Sequence, residues 1–199
     1  YCHRFTQPFN TLYVLVMANP FIISLIILLL TSFSATAESM DDLEFRKGVY
    51  YKNFSDVPFT GEVTGDWNGR LKNGKPEGAW VLSDDIDVYA EGNYRDGQQT
   101  GLWTEYTEQG TVWSRGSYES GKMDGLWLFY WGPGNLESRG HYKNGEKVGF
   151  WLRYHFDGQL AERGKYVNGQ RNGYWQFWDL DGKPRSWSGN YKNGEKVGD

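Results

Sequence analysis

The chain has 199 residues, of which 39% are hydrophobic, 18% are aromatic and 26 are glycine, and its formal net charge at pH 7 is −4. All 25 acidic residues and all but one of the 21 basic residues follow residue 37, so the body of the chain is mildly acidic. This balance argues against nucleic acid as a partner and against charge-driven docking on anionic lipid, because both need a basic surface. The only cysteine, Cys2, precedes that body, which excludes disulfides, thiol nucleophiles and thiolate metal sites from it.

Residues 1–37 are predicted to be a secretory signal peptide. The apolar run Phe21–Leu30 is followed by Ala-Thr-Ala at 35–37, an Ala-x-Ala cleavage pattern. The run is short for a membrane span, which needs about 20 residues. We therefore expect an exported protein, periplasmic or extracellular; the alternative is a membrane anchor formed by an uncleaved N-terminal segment. Because the chain begins with Tyr1, residues 1–16 are interpreted as read-through upstream of a start at Met17.

Residues 38–68 are predicted to be a lead-in followed by N-terminal capping strands. Glu38–Lys47 is acidic and is expected to be flexible. Gly48–Tyr51 and Phe59–Gly65 are predicted to be short strands, joined by the turn-rich segment Asn53–Pro58. This irregular first unit fits a cap at the end of a stack of repeats.

Residues 69–199 contain a tandem repeat with a period of about 24 residues. Tyr follows the first glycine of each copy by two residues, except in the first copy, which has Leu71; the last copy stops at Asp199, before its Trp position, and is interpreted as truncated. The first glycines are Gly69, Gly92, Gly116, Gly140, Gly164 and Gly189. The structural repeat positions of the four complete inner copies are Gly92, Tyr94, Gly97, Gly101, Trp103, Gly116, Tyr118, Gly121, Gly125, Trp127, Gly140, Tyr142, Gly145, Gly149, Trp151, Gly164, Tyr166, Gly169, Gly173 and Trp175.

Each copy is predicted to be two short strands and two turns. In Leu136–Lys143 every second residue is Leu, Ser, Gly or Tyr, and the residues between them are charged or His. This alternation with a period of two is typical of a half-buried strand. Asn144-Gly145 favours the positive φ angles of a tight hairpin turn. The segment Gly149–Tyr154 is then predicted to run back as the second strand.

The glycine inside the first strand predicts how the sheet is packed. Glycine in a strand interior is unfavourable unless a neighbouring group needs the space. We therefore expect Gly140 to accommodate the ring of Trp151 or of Trp127. The predicted fold is all-β, an elongated single-layer antiparallel sheet of tandem β-hairpin repeats, stabilised by aromatic rings rather than by aliphatic side chains.

The run Gly-x-Tyr-x-Asn-Gly-x-x-x-Gly-x-Trp-x-x-Tyr at this period resembles the bacterial MORN repeat variant. The segment Gly48–Gly61 also resembles the start of the YwqK-family antitoxin group. The resemblance covers about residues 48–198. It implies MORN-like hairpin repeats in an elongated sheet and, in some eukaryotic members, membrane or lipid association and protein scaffolding. The antitoxin resemblance implies a partner toxin in the cytoplasm.

The sequence carries no pattern that favours catalysis or a cofactor. It contains no Gly-x-Ser-x-Gly elbow and no phosphate-binding loop, so we expect no enzymatic activity and no cofactor. His141 and His155 are too few for a zinc site. Asp84–Asp87 is interpreted as a solvated loop rather than a calcium site. Asp179–Gly182 lacks the later ligands of a calcium loop and is interpreted as a turn.

Two aromatic rows recur at fixed phases of the repeat. The first is the Trp row, and the second lies three residues later, at Tyr106, Tyr130, Tyr154 and Trp178. Because the two rows have opposite parity, a regular strand would place one in the core and leave the other partly exposed. The second row is therefore a candidate binding surface for a sugar polymer, an extended peptide or a lipid interface; the alternative is that both rows are structural.

These patterns predict a non-enzymatic, exported protein–protein interaction or scaffold module, with another protein or a cell-envelope component as its partner. One alternative is the antitoxin component of a toxin–antitoxin system, and another is glycan or lipid binding through the aromatic rows. Binding specificity is expected where the copies differ just past the first turn, at Gln98–Thr100, Lys122–Asp124 and Gln170–Asn172.

Overall fold

The computed structural model describes residues 37–84 and 87–199, and these form one long, open β-sheet with a small hairpin beside it. The predicted signal peptide, apart from Ala37, and two residues of the Asp84–Asp87 loop lie outside the described residues. Before and within the first repeat the strands are β1 Glu38–Ser39, β2 Leu43–Arg46, β3 Val49–Lys52, β4 Gly61–Thr64, β5 Trp67–Lys72 and β6 Lys75–Ser83. The remaining strands are β7 Val88–Arg95, β8 Gln98–Tyr106, β9 Val112–Glu119, β10 Lys122–Gly132, β11 Asn135–Lys143, β12 Glu146–Tyr154, β13 Leu160–Val167, β14 Gln170–Phe177, β15 Gly189–Lys192 and β16 Glu195–Gly198.

Fourteen of these strands form the sheet, and from β4 to β16 each pairs antiparallel with its neighbours in the chain. Strand β1 pairs parallel with β4, and β2 and β3 form a separate two-stranded hairpin. A 3-10 helix, Met40–Asp42, connects β1 to β2. The predicted fold, an elongated all-β sheet of antiparallel hairpins, is confirmed.

The segment Glu38–Lys47, which was expected to be flexible, instead forms strand β1 of the sheet, a 3-10 helix and strand β2 of the separate hairpin. Glu38 pairs with Val63 in the register of β1 and β4, and its carboxylate forms an ion pair with Lys52. Met40 and Leu43 pack against the buried cluster that contains Val63 and Trp80. The segment is acidic overall, but these two apolar side chains cover the end of the core. Their burial stabilises the ordered conformation of the segment.

The tight turns of the repeat have the geometry that Asn-Gly predicts. Asn144 has φ 52° and Gly145 has φ 87°, and the corresponding residues of the other copies also have positive φ. A two-residue turn with both φ angles positive matches the right-handed twist of the strands that it joins. Each turn also contacts the preceding repeat, as Gly145 N donates to Met123 O at 2.9 Å. Successive hairpins are therefore linked through their turns as well as through their strands.

In the last copy of the repeat, the first strand was predicted to span Arg185–Lys192, and it is shorter in the structure. Strand β15 begins only at Gly189, because Ser188 N donates to Arg185 O in a turn. The Ser188 hydroxyl then occupies the place of a ladder residue, since it accepts from Phe177 N at 3.0 Å. This copy is one residue longer than the inner ones, and the turn absorbs the extra residue.

Candidate binding surface

The tryptophans of the repeat lie on one face of the sheet, which we call the tryptophan face. They are 0–4% exposed: Trp80, Trp103, Trp127, Trp151 and Trp175. Each ring covers the glycine of the preceding strand, and a Cβ on that glycine would lie less than 3.0 Å from ring atoms; the pairs are Gly69–Trp80, Gly92–Trp103, Gly116–Trp127, Gly140–Trp151 and Gly164–Trp175. The expected space at Gly140 is confirmed, and the ring that fills it is that of Trp151.

Four of these indole N–H groups donate to the backbone carbonyl of the residue after the covered glycine. The distances are 3.1 Å from Trp103 Nε1 to Asn93 O, 3.0 Å from Trp127 to Ser117, 3.2 Å from Trp151 to His141 and 3.1 Å from Trp175 to Lys165. Trp80 differs, because its Nε1 is buried with no hydrogen-bond partner among the described residues. The inner repeats thus fix each ring over its glycine with a bond that the first repeat lacks.

The repeat tyrosines stand edge-on between successive tryptophans. The ring centroid of Tyr118 lies 6.1 Å from that of Trp103 and 5.1 Å from that of Trp127, with interplanar angles of 80° and 90°. Edge-to-face pairs of this kind are favourable, since the positive ring edge meets the negative ring face. Burial raises the pKa of Tyr118 to about 12. The first glycine, the tyrosine and the tryptophan of each inner copy therefore lie together in one aromatic layer.

The residue five positions after each repeat tyrosine lies over the tryptophan face. In three copies it is a cation, and in two of these it contacts a tryptophan: Lys147 Nζ lies 4.2 Å from the ring centroid of Trp151, and the guanidinium carbon of Arg171 lies 4.8 Å from that of Trp175. Burial lowers the pKa of Lys147. Gln99 and Met123 occupy this position in earlier copies. Some of the variable residues just past the turn thus complete the aromatic layer.

The second aromatic row is half-buried on the other side of the sheet. The Tyr106 hydroxyl donates to Glu91 Oε1 at 2.6 Å, and this bond raises the pKa of Tyr106. The guanidinium carbon of Arg163 lies 5.7 Å from the ring centroid of Trp178. Tyr130 and Tyr154 complete the row, and no two of the four rings pair with each other in the described part of the chain. A role for this row in binding stays a prediction.

The side opposite the tryptophan face, which we call the reverse face, carries an exposed apolar row that the sequence predictions did not include. The row occupies the position between the glycine and the tryptophan of each second strand. Its exposed fractions are 46% for Leu102, 49% for Leu126, 74% for Phe150 and 53% for Tyr174. Because neighbouring residues of a strand point to opposite faces, these side chains face away from the buried tryptophans.

A β-bulge places Phe150 on this surface. Between β11 and β12 the register passes from Arg139↔Leu152 to His141↔Val148, so more residues of β12 than of β11 lie in this interval. Gly149 has φ 66°, a left-handed conformation that glycine adopts without strain. Bulges re-aim the side chains beside them. The glycine of Gly-x-Trp is thus a bulge residue, and the residue after it is presented to solvent.

Arginines lie beside the exposed apolar row and form a groove with it, which we call the reverse-face groove. Arg139 pairs with Leu128 and Leu152, and Arg163 pairs with Leu152 and Gln176. The groove has a volume of about 640 Å³ and is lined by Leu126, Arg139, Gly140, His141, Phe150, Leu152, Arg163, Gly164, Tyr174 and Gln176. No described carboxylate lines it, although the whole chain is acidic.

The polar side chains of the groove have few partners of their own. Arg163 Nε donates to Gln176 Oε1 at 2.6 Å. Neither Arg139 nor Arg163 has a carboxylate within 4.0 Å in the described part of the chain. Arg139 is exposed, as is Lys165, which pairs with Phe150. Cationic donors beside exposed apolar side chains are therefore available to a ligand.

A sequence signal for this surface was present. The residue between the glycine and the tryptophan is apolar in all five copies that include the tryptophan, at Ala79, Leu102, Leu126, Phe150 and Tyr174. An apolar residue that recurs at the parity opposite to a core residue indicates a second, exposed apolar row. The sequence alone does not say that the bulge glycine lies beside it or that arginines of the neighbouring strands flank it.

Other kinds of site have little support among the residues that the structure describes. Within 37–84 and 87–199, no group of three or more His, Cys, Asp and Glu residues is arranged to hold a metal ion. Asp179 Oδ1 accepts from the backbone N–H groups of Asp181 and Lys183 at 3.0 and 2.8 Å, which makes the Asp179–Gly182 segment a turn, as expected. No helix in the same ranges is long and apolar enough to cross a membrane.

Comparison with known proteins gives no relative from which a function could be taken. No family model and no curated protein matches the chain. Among solved structures, a chain from "Crystal structure of GtfA/B complex bound to UDP and GlcNAc" aligns with 68% of this chain at 14% identity. The alignment spans 27% of that chain with a TM-score of 0.22, which is too low to support an argument about fold or function.

Proposed function

We propose that this chain is a non-enzymatic binding module that presents the reverse face of its repeat sheet to a protein partner. The observation that carries the proposal is the exposed apolar row Leu126, Phe150 and Tyr174, flanked by Arg139 and Arg163. Contiguous apolar surface rimmed by polar groups marks interaction sites. Aromatic residues and arginine are also the residue types that contribute most to protein interfaces.

The contrast between the buried tryptophan face and the exposed reverse face supports this proposal. The tryptophan face buries its own rings, so the sheet does not need a second layer on the reverse face for its stability. The apolar side chains on the reverse face are therefore not explained by packing within the described residues. The polar groups of the groove, Arg139, His141, Arg163 and Gln176, are donors suited to recognition, and within residues 37–84 and 87–199 none of them forms an ion pair with a carboxylate.

A protein partner fits this surface better than the glycan or lipid alternatives. The groove combines the exposed rings of Phe150 and Tyr174 with aliphatic Leu126 and Leu152 and with arginines, and aromatic residues and arginine are enriched in protein interfaces. The second aromatic row, which was the candidate for glycan or lipid binding, is half-buried, and Tyr106 is bonded to Glu91. A groove also accepts a chain more readily than a flat bilayer surface. Glycan and vesicle binding are therefore control measurements for the proposal.

The binding proposal is tested with the full chain and a matched pair of variants. The first variant is L126S/F150S/Y174S, and the control is Phe156→Ser, since Phe156 is 67% exposed and lies outside the groove. We expect wild type and control to capture the same defined proteins from envelope or cytoplasmic extract, and the triple variant to lose them while it keeps its circular dichroism spectrum. Equal capture by all three proteins would contradict the proposal.

We further propose that the protein is exported, because the apolar run Phe21–Leu30 is followed by an Ala-x-Ala pattern at 35–37. Mass spectrometry of the mature N-terminus tests this, and cleavage after Ala37 together with recovery from the envelope or medium is the expected result. Recovery of uncleaved protein only from the cytoplasm would contradict export and would favour the antitoxin function, with a cytoplasmic toxin as the partner.

A further inference from the structure

We infer that the reverse-face groove binds an acidic peptide segment in the polyproline II conformation, with an apolar residue at every third position. The inference rests on the proposed function and specifies its ligand. Three properties of the groove lead to it: the spacing of its apolar row, the charge of its flanking row and its position on the face of a fully paired sheet.

The spacing of the apolar row matches the period of a polyproline II helix. Leu126, Phe150 and Tyr174 lie on β10, β12 and β14, so successive members are two strands apart. Two strand spacings amount to about 9.6 Å. A polyproline II helix has three residues per turn and rises about 3.1 Å per residue, so side chains at every third position share one side and repeat at about 9.3 Å. Three apolar ligand side chains can therefore meet the three members of the row.

The charged row of the groove runs beside the apolar row, because Arg139 pairs with Leu128 and Arg163 with Leu152, each two residues beyond Leu126 or Phe150. Arg139 and Arg163 lie on β11 and β13, which are the strands between those that carry the apolar row. An acidic residue between two apolar positions of the ligand would meet a guanidinium group, and carboxylate–guanidinium hydrogen bonds are among the stronger ones in proteins. No described carboxylate lines the groove to compete with the ligand. The local charge is thus complementary to an acidic segment although the protein as a whole is acidic.

The position of the groove excludes recognition by strand addition. Its floor contains Gly140 and Gly164, on strands whose backbones are paired with neighbours on both sides. A ligand on this face finds no free ladder of N–H and C=O groups, so it must be recognised through side chains. A polyproline II segment suits this because it needs no backbone partners and is already ordered when it binds to aromatic grooves. Phe150 and Tyr174 supply the aromatic surface for proline rings.

The probe is a fluorescent peptide of three Leu-Glu-Pro copies, titrated onto the full chain by fluorescence anisotropy. Comparison peptides replace every Glu with Lys, or every Pro with Val, or scramble the order. We expect only the first peptide to bind, since the others lack the acidic charge, the polyproline II conformation or the period. The affinity should fall as salt is raised, because exposed charge pairs are screened.

Two groove variants and two controls assign the binding to the groove. R139E/R163E should weaken binding of the acidic peptide by about a hundredfold, roughly tenfold for each charge-assisted contact. Phe150→Ser should weaken it by about tenfold, through the loss of one apolar contact. Lys75→Glu and Phe156→Ser should leave it unchanged, because both residues are exposed and lie outside the groove. Thermal unfolding of each variant separates loss of binding from loss of fold.

Several results would overturn the inference. These are absence of binding by the acidic peptide, equal binding of the Pro-to-Val peptide, and binding that the groove variants leave unchanged. Groove-dependent binding of a β-1,4-linked oligosaccharide or of anionic phosphatidylserine vesicles, with no peptide binding, would assign the groove to another class of ligand. If the peptide fails while protein capture still depends on Phe150, only this inference is wrong. If capture is also independent of the groove, the proposed function is wrong as well.

Discussion

The two faces of the sheet are built from the same strands, but they differ in what covers them. On the tryptophan face, Trp127 has no exposed surface, and its ring lies over Gly116 with its N–H bonded to Ser117. On the reverse face, Leu126, the residue directly before it, is 49% exposed. The difference shows how a single-layer sheet can be stable: one face forms its own core from aromatic rings and glycines, and the other is left free.

This arrangement separates stability from recognition at the level of single residues. Changes on the tryptophan face are expected to affect unfolding, because an inner ring such as that of Trp127 packs between two strands with a tyrosine on either side. Changes on the reverse face are expected to affect binding and to leave the fold intact. The four predictions below test that contrast, from the largest expected effect to the smallest.

The first prediction compares a buried residue of the tryptophan face with an exposed residue of the reverse face in the next repeat. Trp127→Ala should lower the free energy of unfolding by about 3–5 kcal/mol, because it removes a fully buried ring and leaves a cavity above Gly116. Phe150→Ala should lower it by less than about 0.5 kcal/mol, since that side chain is 74% exposed. Urea denaturation of both variants measures the contrast. Similar losses in the two variants would show that the reverse face also contributes to the core.

The second prediction concerns the glycine on which a tryptophan ring lies. Gly140→Val should destabilise by about 1–3 kcal/mol or more, because the added Cβ would overlap the ring of Trp151. Gly132→Val is the matched control, since a Cβ there would meet nothing within 4 Å. It should change the melting temperature little, as should the exposed change Lys143→Ala. Equal shifts for Gly140→Val and Gly132→Val would rule out the fit between glycine and ring.

The third prediction isolates the indole hydrogen bond. Trp127→Phe leaves the Ser117 carbonyl without the donor 3.0 Å away, whereas Trp80→Phe removes an N–H that has no partner among the described residues. Both changes remove similar ring volume. Trp127→Phe should therefore cost about 1 kcal/mol more than Trp80→Phe, which is the usual net worth of one hydrogen bond. Chemical denaturation of the two variants gives the difference, and equal costs would mean that the bond adds nothing.

The fourth prediction concerns the dependence of stability on pH, and it expects no difference between wild type and variant near neutral pH. Burial raises the pKa of Tyr118 from 10.0 to about 12, so the folded state binds its proton more tightly than the unfolded state does. The resulting stability is fully present below pH 10 and is lost as the pH rises towards about 12. Tyr118→Phe should match wild type at pH 8 and lose less stability between pH 10 and 12. Parallel alkaline unfolding curves for the two proteins would contradict this origin of the pKa shift.

Much of the fold could be predicted from the sequence, because the residue types at the repeat positions favour particular backbone conformations and side-chain packing. The alternation in Leu136–Lys143, the Asn-Gly pair and the glycine under a tryptophan each have one physical interpretation, and all three were correct. The prediction for Glu38–Lys47 was wrong because composition does not show where Met40 and Leu43 become buried.

The sequence predictions placed the candidate binding residues on the second aromatic row and did not include the exposed apolar row. Tyr106, Tyr130, Tyr154 and Trp178 were chosen for their regular phase, but side-chain contacts such as that of Tyr106 with Glu91 depend on neighbouring strands. The recurring apolar residue at Leu126 and Phe150 is a sequence signal, but its position beside the bulge at Gly149 and the arginines of neighbouring strands follows only from the structure.

The sequence by itself determined the period, the hairpin turns and the glycine–tryptophan pairing, because these follow from the φ angles and side-chain volumes of residues close together in the chain. Only the tertiary structure decided which face was left exposed and which side chains meet on it. Residues of neighbouring strands, such as Arg139 and Phe150, are brought together by register and bulges. Register is a property of paired strands, and a single strand of the repeat does not carry it.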